Sequence, residues 1–345
     1  MAAFAEGVPC WVDAMLPDLE AGKRFYGELF GWTFGAGEPH YGHYTQAFHG
    51  GRNVAALAAK PDGRMPTVWN IYFAAQDAAA TAARIRAAGG QLITEPMPIG
   101  DFGVMVTAVD PGGAVFGVWQ AGSHPGFEER GTPGSYGWIE LRTRDPERVD
   151  AFYRAVFGYG TVRLGKEREL GGQPGEGERP GEERGPSGGA GVDGRRQEAD
   201  IVFWTPRGKP AEPGHAIGAR ATMGDRFPAE MPAHFLTYFV VANCDEVARR
   251  AHALGGRLLN DPEDTPYGRF VALADNQGAH FAVVDTSGRG LRARKAERSG
   301  AGSPAYGKVE VGRAPPGDTT KSPPGSQPPP SPERMQVACR RLVCR

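Results

Sequence analysis

Residues 10–16, near the start of the chain, are apolar except for Asp13, and Trp11, Asp13 and Met15 alternate one by one with Cys10, Val12 and Ala14. This period of two predicts a half-buried strand that carries Trp11 and Asp13 on the same face. The apolar residues that follow recur at helical spacing over about 19–30, which predicts an amphipathic helix that Gly31 ends. The first strand therefore presents an indole beside a carboxylate, an arrangement that suggests a pocket.

The same order of elements then repeats. Two short strands are predicted around Gly and Asn turns within 41–59, and a strand over 68–75 leads into an alanine-rich helix over 77–88. A pair of glycines ends that helix, and further strands run to Trp119. This first part of the chain is thus predicted to contain the order β-α-β-β-β twice.

A second copy of the whole pattern follows. "FYGELFGW" (25–32) returns as "FYRAVFGY" (152–159), and "DPGGAVFGV" (110–118) returns as "DNQGAHFAV" (275–283). The first pair is offset by 127 residues and the second by 165, so the second copy contains an insertion. Because order and spacing are otherwise kept, the repeat is a strong signal of duplication.

The duplication predicts an α+β protein with two tandem domains, over 9–121 and 133–285. Each domain would consist of paired β-α-β-β-β modules, with strands that curl into an open cup and helices packed outside. An ordinary α+β sandwich without a pocket is the alternative that the pattern leaves open.

Two segments differ in composition from the rest. The insertion 165–200 is Gly, Glu, Arg and Pro with almost no apolar residue, and the tail 286–345 is rich in Pro, Ser, Gly and Arg. Neither can bury enough apolar surface to offset the entropy of ordering, so both are predicted to be disordered. The tail is basic, and a solvated extension is favoured over an arm that binds nucleic acid or acidic membranes.

Charge and cysteine content narrow the class of protein. The 345 residues include 39 Lys and Arg and 40 Asp and Glu, a net charge of −1 that does not favour nucleic-acid binding. The four scattered cysteines form neither a disulfide framework nor a zinc motif. With no secretory signal and no long apolar run, we expect a cytoplasmic monomer or homodimer that does not bind membranes.

Several motifs resemble those of a known family. "DLEAGKRFYGELFGW", "AGGQLITEP" and "DPGGAVFGVWQ", each with a counterpart in the second copy, resemble the vicinal oxygen chelate superfamily. That superfamily includes glyoxalase I, bleomycin-resistance proteins, fosfomycin-modifying enzymes and extradiol dioxygenases, and the tandem layout is similar to that of actinobacterial two-domain glyoxalase-like proteins. The resemblance covers about 9–164 and 200–285. It implies two tandem glyoxalase-like domains, each with a cup, and is weak evidence for any one reaction.

The resemblance also implies a divalent metal held by His, Gln or Glu from facing strands. The positions that it implies for these ligands, three in each copy, hold Trp11, Asn70, Gly117, Trp138, Leu236 and Ala282. Divalent metals need carboxylate, imidazole or thiolate donors, so we predict no metal site and no other cofactor. A second possibility, loose metal binding by His40, His43 and His49, is disfavoured because the family has no site there.

Strand alternation indicates which side chains share the cups with those positions. They are Trp11, Asp13, Asn70, Tyr72 and Trp119 in the first copy, and Trp138, Glu140, Tyr238 and His280 in the second. Aromatic walls with a few polar groups suit a small organic ligand.

Roles for these residues follow from their chemistry. Asp13, Glu140 and His280 are candidates for general acid or base, with His280 and Glu140 as the better pair if they approach each other. The remaining cup residues are candidates for substrate binding, as is Arg269, which follows a Gly-containing loop over the cup mouth and could meet an anion. Structural carboxylates, a capping histidine and a surface ion pair of Arg269 are the competing interpretations.

Three functions remain open from the sequence. The chain could be a metal-independent enzyme of lyase, isomerase or hydroxylase-like type that acts on small organic molecules. It could instead bind or sequester such a molecule without turnover, or serve as an interaction scaffold with vestigial cups. Fold can be argued from pattern, but the choice among these functions depends on the site.

Overall fold

The first strand and helix form as their sequence pattern predicts. The structure, a computed structural model, describes residues 4–163, 200–225 and 227–287. Strand β1 (Pro9–Leu16) is almost wholly buried and leads into helix α1 (Leu19–Phe30). The side chain of Asp18 accepts a hydrogen bond from the backbone of Ala21 and so caps the helix. Gly31 ends it with φ of 74°, a left-handed conformation that costs glycine little.

The rest of the first domain forms one open sheet around β1. Its elements are β2 (Thr33–Phe34), β3 (Thr45–His49), β4 (Arg52–Ala59), β5 (Val68–Ala74), α2 (Ala78–Ala87), β6 (Gln91–Leu92), β7 (Met97–Ile99), β8 (Gly103–Val109) and β9 (Val115–Ala121). The strand order is β2-β3-β4-β1-β5-β9-β8-β6, with β7 paired to β8. The two β-α-β-β-β modules meet where β1 and β5 pair antiparallel.

The second domain repeats this topology. Its elements are β10 (Tyr136–Thr143), α3 (Pro146–Phe157), β11 (Gly160–Arg163), β12 (Ile201–Thr205), β13 (Gly218–Thr222), β14 (His234–Val240), α4 (Cys244–Ala253), β15 (Arg257–Leu258), β16 (Glu263–Thr265), β17 (Gly268–Ala274) and β18 (His280–Asp285). The strand order is β11-β12-β13-β10-β14-β18-β17-β15, with β16 paired to β17. The predicted α+β architecture of tandem, paired modules with open sheets is confirmed.

One hydrophobic core joins the two domains. Phe73 of β5 packs against Phe235 of β14 with ring centroids 5.7 Å apart, and both lie in a single cluster that contains buried residues of both domains. The sequence predicts helices packed outside each cup; the helices do lie behind the sheets, but α1 and α3 also contact the opposite domain. The face of each sheet that points away from its cup is buried against the other sheet and against these helices. This burial fixes the positions of the cups.

Helices α1 and α3 each contact the other domain through one tyrosine–aspartate hydrogen bond. The hydroxyl of Tyr26 in α1 donates to Asp275 over 2.8 Å, and that of Tyr153 in α3 donates to Asp110 over 3.2 Å. Asp110 and Asp275 occupy the same position of the repeated turn between the last two long strands. The duplication therefore produces a reciprocal interface, in which each copy makes the same contact with the other.

The two segments of unusual composition lie almost entirely outside the described residues. The predicted disorder of 165–200 and of 286–345 concerns segments of which only Asp200, Thr286 and Ser287 are described. Among the described residues, no helix is both long and apolar enough to cross a membrane.

Candidate functional site

The first cup is organised around a buried carboxylate. Asp13 accepts hydrogen bonds from the Asn70 side-chain amide over 2.8 Å and from the Tyr44 hydroxyl over 3.0 Å. The Trp11 indole in turn donates to the oxygen of Tyr44 over 2.8 Å. Alternation along β1 places Trp11 and Asp13 on one face of the strand and Val12 and Ala14, which are fully buried, on the other.

This network fills the first cup. Trp11 is 4% exposed, Asp13 2% and Tyr72 8%. Burial raises the pKa of Asp13 above its usual value, opposed in part by hydrogen bonds from Asn70, Tyr72 and Tyr44. Burial and the nearby Asp13 likewise raise the pKa of Tyr44. The hydrogen-bonding needs of this carboxyl group are met within the protein, and little of its surface is left for a ligand to contact.

The far wall of the first cup is closed by Trp119 and His124. The Trp119 indole donates to the backbone oxygen of His124 over 2.9 Å, and the His124 ring lies edge-on to Trp11 with centroids 4.6 Å apart. Burial lowers the pKa of His124, and its Nε2 is a buried atom without a hydrogen-bond partner. The imidazole therefore acts here as a neutral packing element of the wall.

The second cup holds an ion pair in place of that network. Arg142 donates from Nε to the Glu140 carboxylate over 2.8 Å, and Tyr238 lies beside both side chains. The side chains of Glu140 and Arg142 are mostly buried, at 14% and 17% exposed. Burial lowers the pKa of Arg142, but the charge of Glu140 outweighs this effect and raises that pKa. Burial and the charge of Glu140 both raise the pKa of Tyr238. Arg142 therefore stays charged and Tyr238 stays a neutral phenol.

Aromatic side chains line the same face. Trp138 is half-buried and lies 5.8 Å from Phe203 between ring centroids, and half-buried Phe270 lies 6.1 Å from Tyr238. Leu236, Tyr238, Ala272 and Ala282 form a small apolar cluster of their own, apart from the shared core, against which Trp138 and Phe270 pack. The second cup thus offers partly exposed rings beside a polar pair.

His280 is not brought to Glu140. Glu140 pairs with Leu236 of β14, and His280 lies on β18, which is the next strand beyond β14. In the described part of the chain no hydrogen bond or ion pair joins His280 to Glu140, so the predicted acid–base pair does not form in this structure. Burial, Arg257 and Arg142 lower the pKa of His280.

Arg269 lies elsewhere than the sequence predicts. Its neighbour Phe270 faces the cup, and since adjacent strand residues point to opposite faces, Arg269 points away from it. Its guanidinium bonds to Asp245 at the start of α4 over 2.7 Å and to Asp264 over 3.2 Å. The assignment of Arg269 to substrate binding is therefore corrected: it forms the surface ion pair that was the competing interpretation.

Sequence profiles of known families match both halves of this architecture. Residues 11–118 match the glyoxalase/bleomycin resistance protein/dioxygenase superfamily, and residues 138–284 match a glyoxalase-like domain. The "Anthracycline biosynthesis protein DauV" of Streptomyces sp. (strain C5) is 36% identical over 300 residues, which span 83% of this chain and 95% of that protein. This chain belongs to the glyoxalase/bleomycin resistance/dioxygenase superfamily.

Other members of the superfamily show the same two-domain extent. The "Putative glyoxylase CFP32" of Mycobacterium tuberculosis is 34% identical over 293 residues, which cover 81% of this chain and 95% of that protein. Among solved structures, the Mn(II)-bound glyoxalase from Novosphingobium aromaticivorans matches with a TM-score of 0.53 at 15% identity, over 81% of this chain and 82% of its own. The 2,3-dioxygenase LapB from Pseudomonas sp. KL28 matches with a TM-score of 0.52 at 12% identity, over 81% of this chain and 93% of its own. At these identities the structural matches establish the fold alone.

The residues at the positions where the superfamily implies a metal do not fit one. The Trp11 indole can only donate a hydrogen bond and does so to Tyr44. A Cβ added to Gly117 would lie 2.1 Å from the Tyr72 ring, so the place of the implied third ligand is covered by an aromatic side chain. No group of three or more His, Cys, Asp or Glu residues among those described, His40, His43 and His49 included, is arranged to hold a metal ion. The side chains of both cups are suited to hydrogen bonding and stacking.

Sequence reasoning missed Tyr44 and Arg142, which are central to the two cups. Arg142 stands two residues after Glu140 on the same predicted strand face, so alternation was a sufficient signal for it. Tyr44 lies at the bridge before β3 and reaches Asp13 from another strand, a contact that no periodicity indicates.

Proposed function

We propose that this chain binds one small, planar aromatic molecule, and that it does so in the second cup. The observation that carries the proposal is the difference between the two cups. In the first, Trp11, Asp13 and Tyr72 are packed together and buried; in the second, Trp138 and Phe270 are partly exposed beside the Glu140–Arg142 pair. Partly exposed rings around a few fixed polar groups are the usual composition of a small-molecule site.

The relatives support a planar aromatic ligand. DauV and the DnrV protein of Streptomyces peucetius carry names that refer to anthracycline biosynthesis, and anthracyclines are fused-ring aromatic compounds. Flat rings of this kind stack favourably on indole and phenyl side chains. The proposal transfers to this chain only the class of molecule.

Calorimetric titration with three anthraquinones tests the proposal. They carry a carboxamide, a methyl ester or a carboxylate at the same ring position. We expect at least one to bind with a stoichiometry of one per chain, and Trp138→Ala and Phe270→Ala each to weaken it by about tenfold or more, because each loses stacking area.

The first cup supplies the matched control. Met105 occupies in β8 the position that Phe270 occupies in β17, so Met105→Ala is expected to leave affinity within about twofold. Two sites per chain, or binding that Trp138→Ala and Phe270→Ala leave unchanged, would contradict assignment to the second cup. Absence of binding by all three compounds would refute the proposed ligand class.

A metal-independent reaction at the same cup is the second candidate. The observation that favours it is the carboxylate of Glu140 beside the neutral phenol of Tyr238, which could pass a proton to or from a bound substrate, as an isomerase requires. The test is proton exchange with deuterated solvent at the bound compound, monitored by NMR. Exchange that Glu140→Gln abolishes supports catalysis, whereas binding without exchange supports a binding protein.

A further inference from the structure

The Glu140–Arg142 pair retains hydrogen-bonding capacity toward the cup. The two residues lie two positions apart on one face of β10, and their direct bond joins Nε of the guanidinium to Oε1 of the carboxylate. Arginine has five N–H donors and a carboxylate has about four lone-pair sites. This bond and the hydrogen bonds of both groups with Tyr238 use only part of that capacity, which leaves one group that can still accept and one that can still donate, side by side.

The charges of this pair cancel, which disfavours an ionic ligand. A charged group placed beside a balanced and mostly buried ion pair would bring an uncompensated charge out of water. The neighbouring imidazoles of His234 and His280 do not change this balance at neutral pH. Burial, with a contribution from the charge of Arg142, lowers the pKa of each below its usual value. A neutral ligand keeps the cup electrically balanced.

The direction of the pair is fixed by a loop at the end of the cup. The Arg142 guanidinium lies 5.4 Å from the centre of the Phe227 ring. Arg144 holds the loop that carries Phe227, with hydrogen bonds to the backbone oxygens of Met231 over 2.6 Å and of Pro228 over 2.7 Å. Side chains held in this way can discriminate between ligands, because they lose little conformational freedom when a ligand binds.

The first cup has no equivalent of this pair. The repeat aligns Asp13 with Glu140 and Met15 with Arg142, so the carboxylate of the first copy has no cation beside it on the strand. Its partners are the neutral Asn70 and Tyr44. The combination of donor and acceptor belongs to the second cup and arises from a difference between the copies.

We propose that the second cup selects an uncharged aromatic molecule whose edge presents a hydrogen-bond donor next to an acceptor, as a carboxamide or a hydroxy ketone does. Glu140 accepts from the donor, Arg142 donates to the acceptor, and Trp138 packs on the ring. This inference rests on the proposed function and adds the chemistry of the ligand's edge, with Glu140 and Arg142 as the residues that determine specificity.

The three anthraquinones also test this inference, because they share a ring system and differ in one edge. The carboxamide has a donor and an acceptor, the ester only acceptors, and the carboxylate a negative charge. We expect the carboxamide to bind at least about tenfold more tightly than either of the others, as the loss of one hydrogen bond to a charged group would produce. Glu140→Gln frees the charge of Arg142 and should reverse the order, so that the carboxylate binds most tightly.

Two further variants keep the test decisive. Arg142→Gln leaves the carboxylate of Glu140 without its cation, so the carboxylate compound should bind more weakly than it does to the wild type. This variant provides a second measurement if Glu140→Gln does not fold. Asp13→Asn makes the corresponding change in the first cup and should leave the ranking unchanged. Equal affinities of the three compounds, still dependent on Trp138, would overturn the donor–acceptor inference while the proposed function stands. Binding of none of them would overturn both.

Discussion

The two tyrosine–aspartate contacts between the domains differ in one hydrogen bond. A comparison of the two therefore measures how much that bond contributes to the stability of the interface. Tyr26 donates to Asp275 over 2.8 Å and accepts from the Trp69 indole over 2.9 Å, and it is fully buried. Tyr153 donates to Asp110, but Phe235 stands where the repeat would place a tryptophan. Replacing each tyrosine by phenylalanine removes only the hydroxyl.

The expected losses follow from the groups left without partners. A buried hydrogen bond to a carboxyl group contributes about 1.5–3 kcal/mol, and a buried donor left unsatisfied costs about 1–3 kcal/mol. Tyr153→Phe loses one such bond, so we expect about 2 kcal/mol. Tyr26→Phe loses that bond and also leaves the Trp69 N–H unpaired, so we expect about 3–4 kcal/mol.

Equilibrium unfolding in urea at neutral pH, followed by far-ultraviolet circular dichroism, measures both losses. The continuous core predicts a single transition for the two domains, so that the free energies of unfolding can be compared directly. Equal losses for the two variants would refute the reasoning, because the Trp69 bond would then contribute nothing. A transition that splits into two would contradict the shared core.

Three other changes test the first cup and the loop of the second. Asp13→Asn should gain in stability relative to the wild type as pH rises from about 4 to 7. Because the pKa of Asp13 is raised in the folded state, the stability that this carboxyl group contributes is fully present only below its pKa in the unfolded state and is lost above its pKa in the folded state. A difference in the free energy of unfolding in urea that does not change with pH would contradict this prediction. Gly117→Ala should lower the free energy of unfolding by about 1–3 kcal/mol because its Cβ meets the Tyr72 ring, whereas Gly63→Ala, which has open space, should be neutral in thermal unfolding. Arg144→Met should speed proteolysis of the loop at 227–231 and weaken ligand binding, and an unchanged cleavage rate would show that the loop does not depend on Arg144.

The fold could be predicted from the sequence because its strongest signals are local. The predicted helix over about 19–30 forms as Leu19–Phe30, since a capping aspartate and a left-handed glycine mark its ends within the segment itself. The strand predicted over 68–75 forms as Val68–Ala74. Repetition at a fixed offset then indicates duplication whatever the structure of each unit.

Contacts between distant segments could not be predicted in the same way. The reciprocal packing of α1 and α3 joins residues 249 and 43 positions apart, and helical periodicity shows that a face is apolar without showing what covers it. Alternation correctly placed Asp13 in the first cup. It could not show that Tyr44, next to β3, donates a hydrogen bond to Asp13 and helps to fill this cup. The prediction that Arg269 binds substrate was wrong because it relied on the loop that precedes Arg269 and did not consider the strand face on which Arg269 lies.

The reciprocal interface also has a consequence for the evolution and engineering of such chains. Residues 122–135, which join the copies, are themselves packed: Phe127 stacks on Tyr136 with centroids 4.7 Å apart, and its backbone N–H donates to the oxygen of Cys10. Cutting the gene there would not release two autonomous proteins, because each product would expose the apolar back of its sheet. A single-copy ancestor would have needed to pair with itself about a two-fold axis, and fusion removed the symmetry requirement from that dimer. One binding site could then become a closed structural element while the other kept its opening.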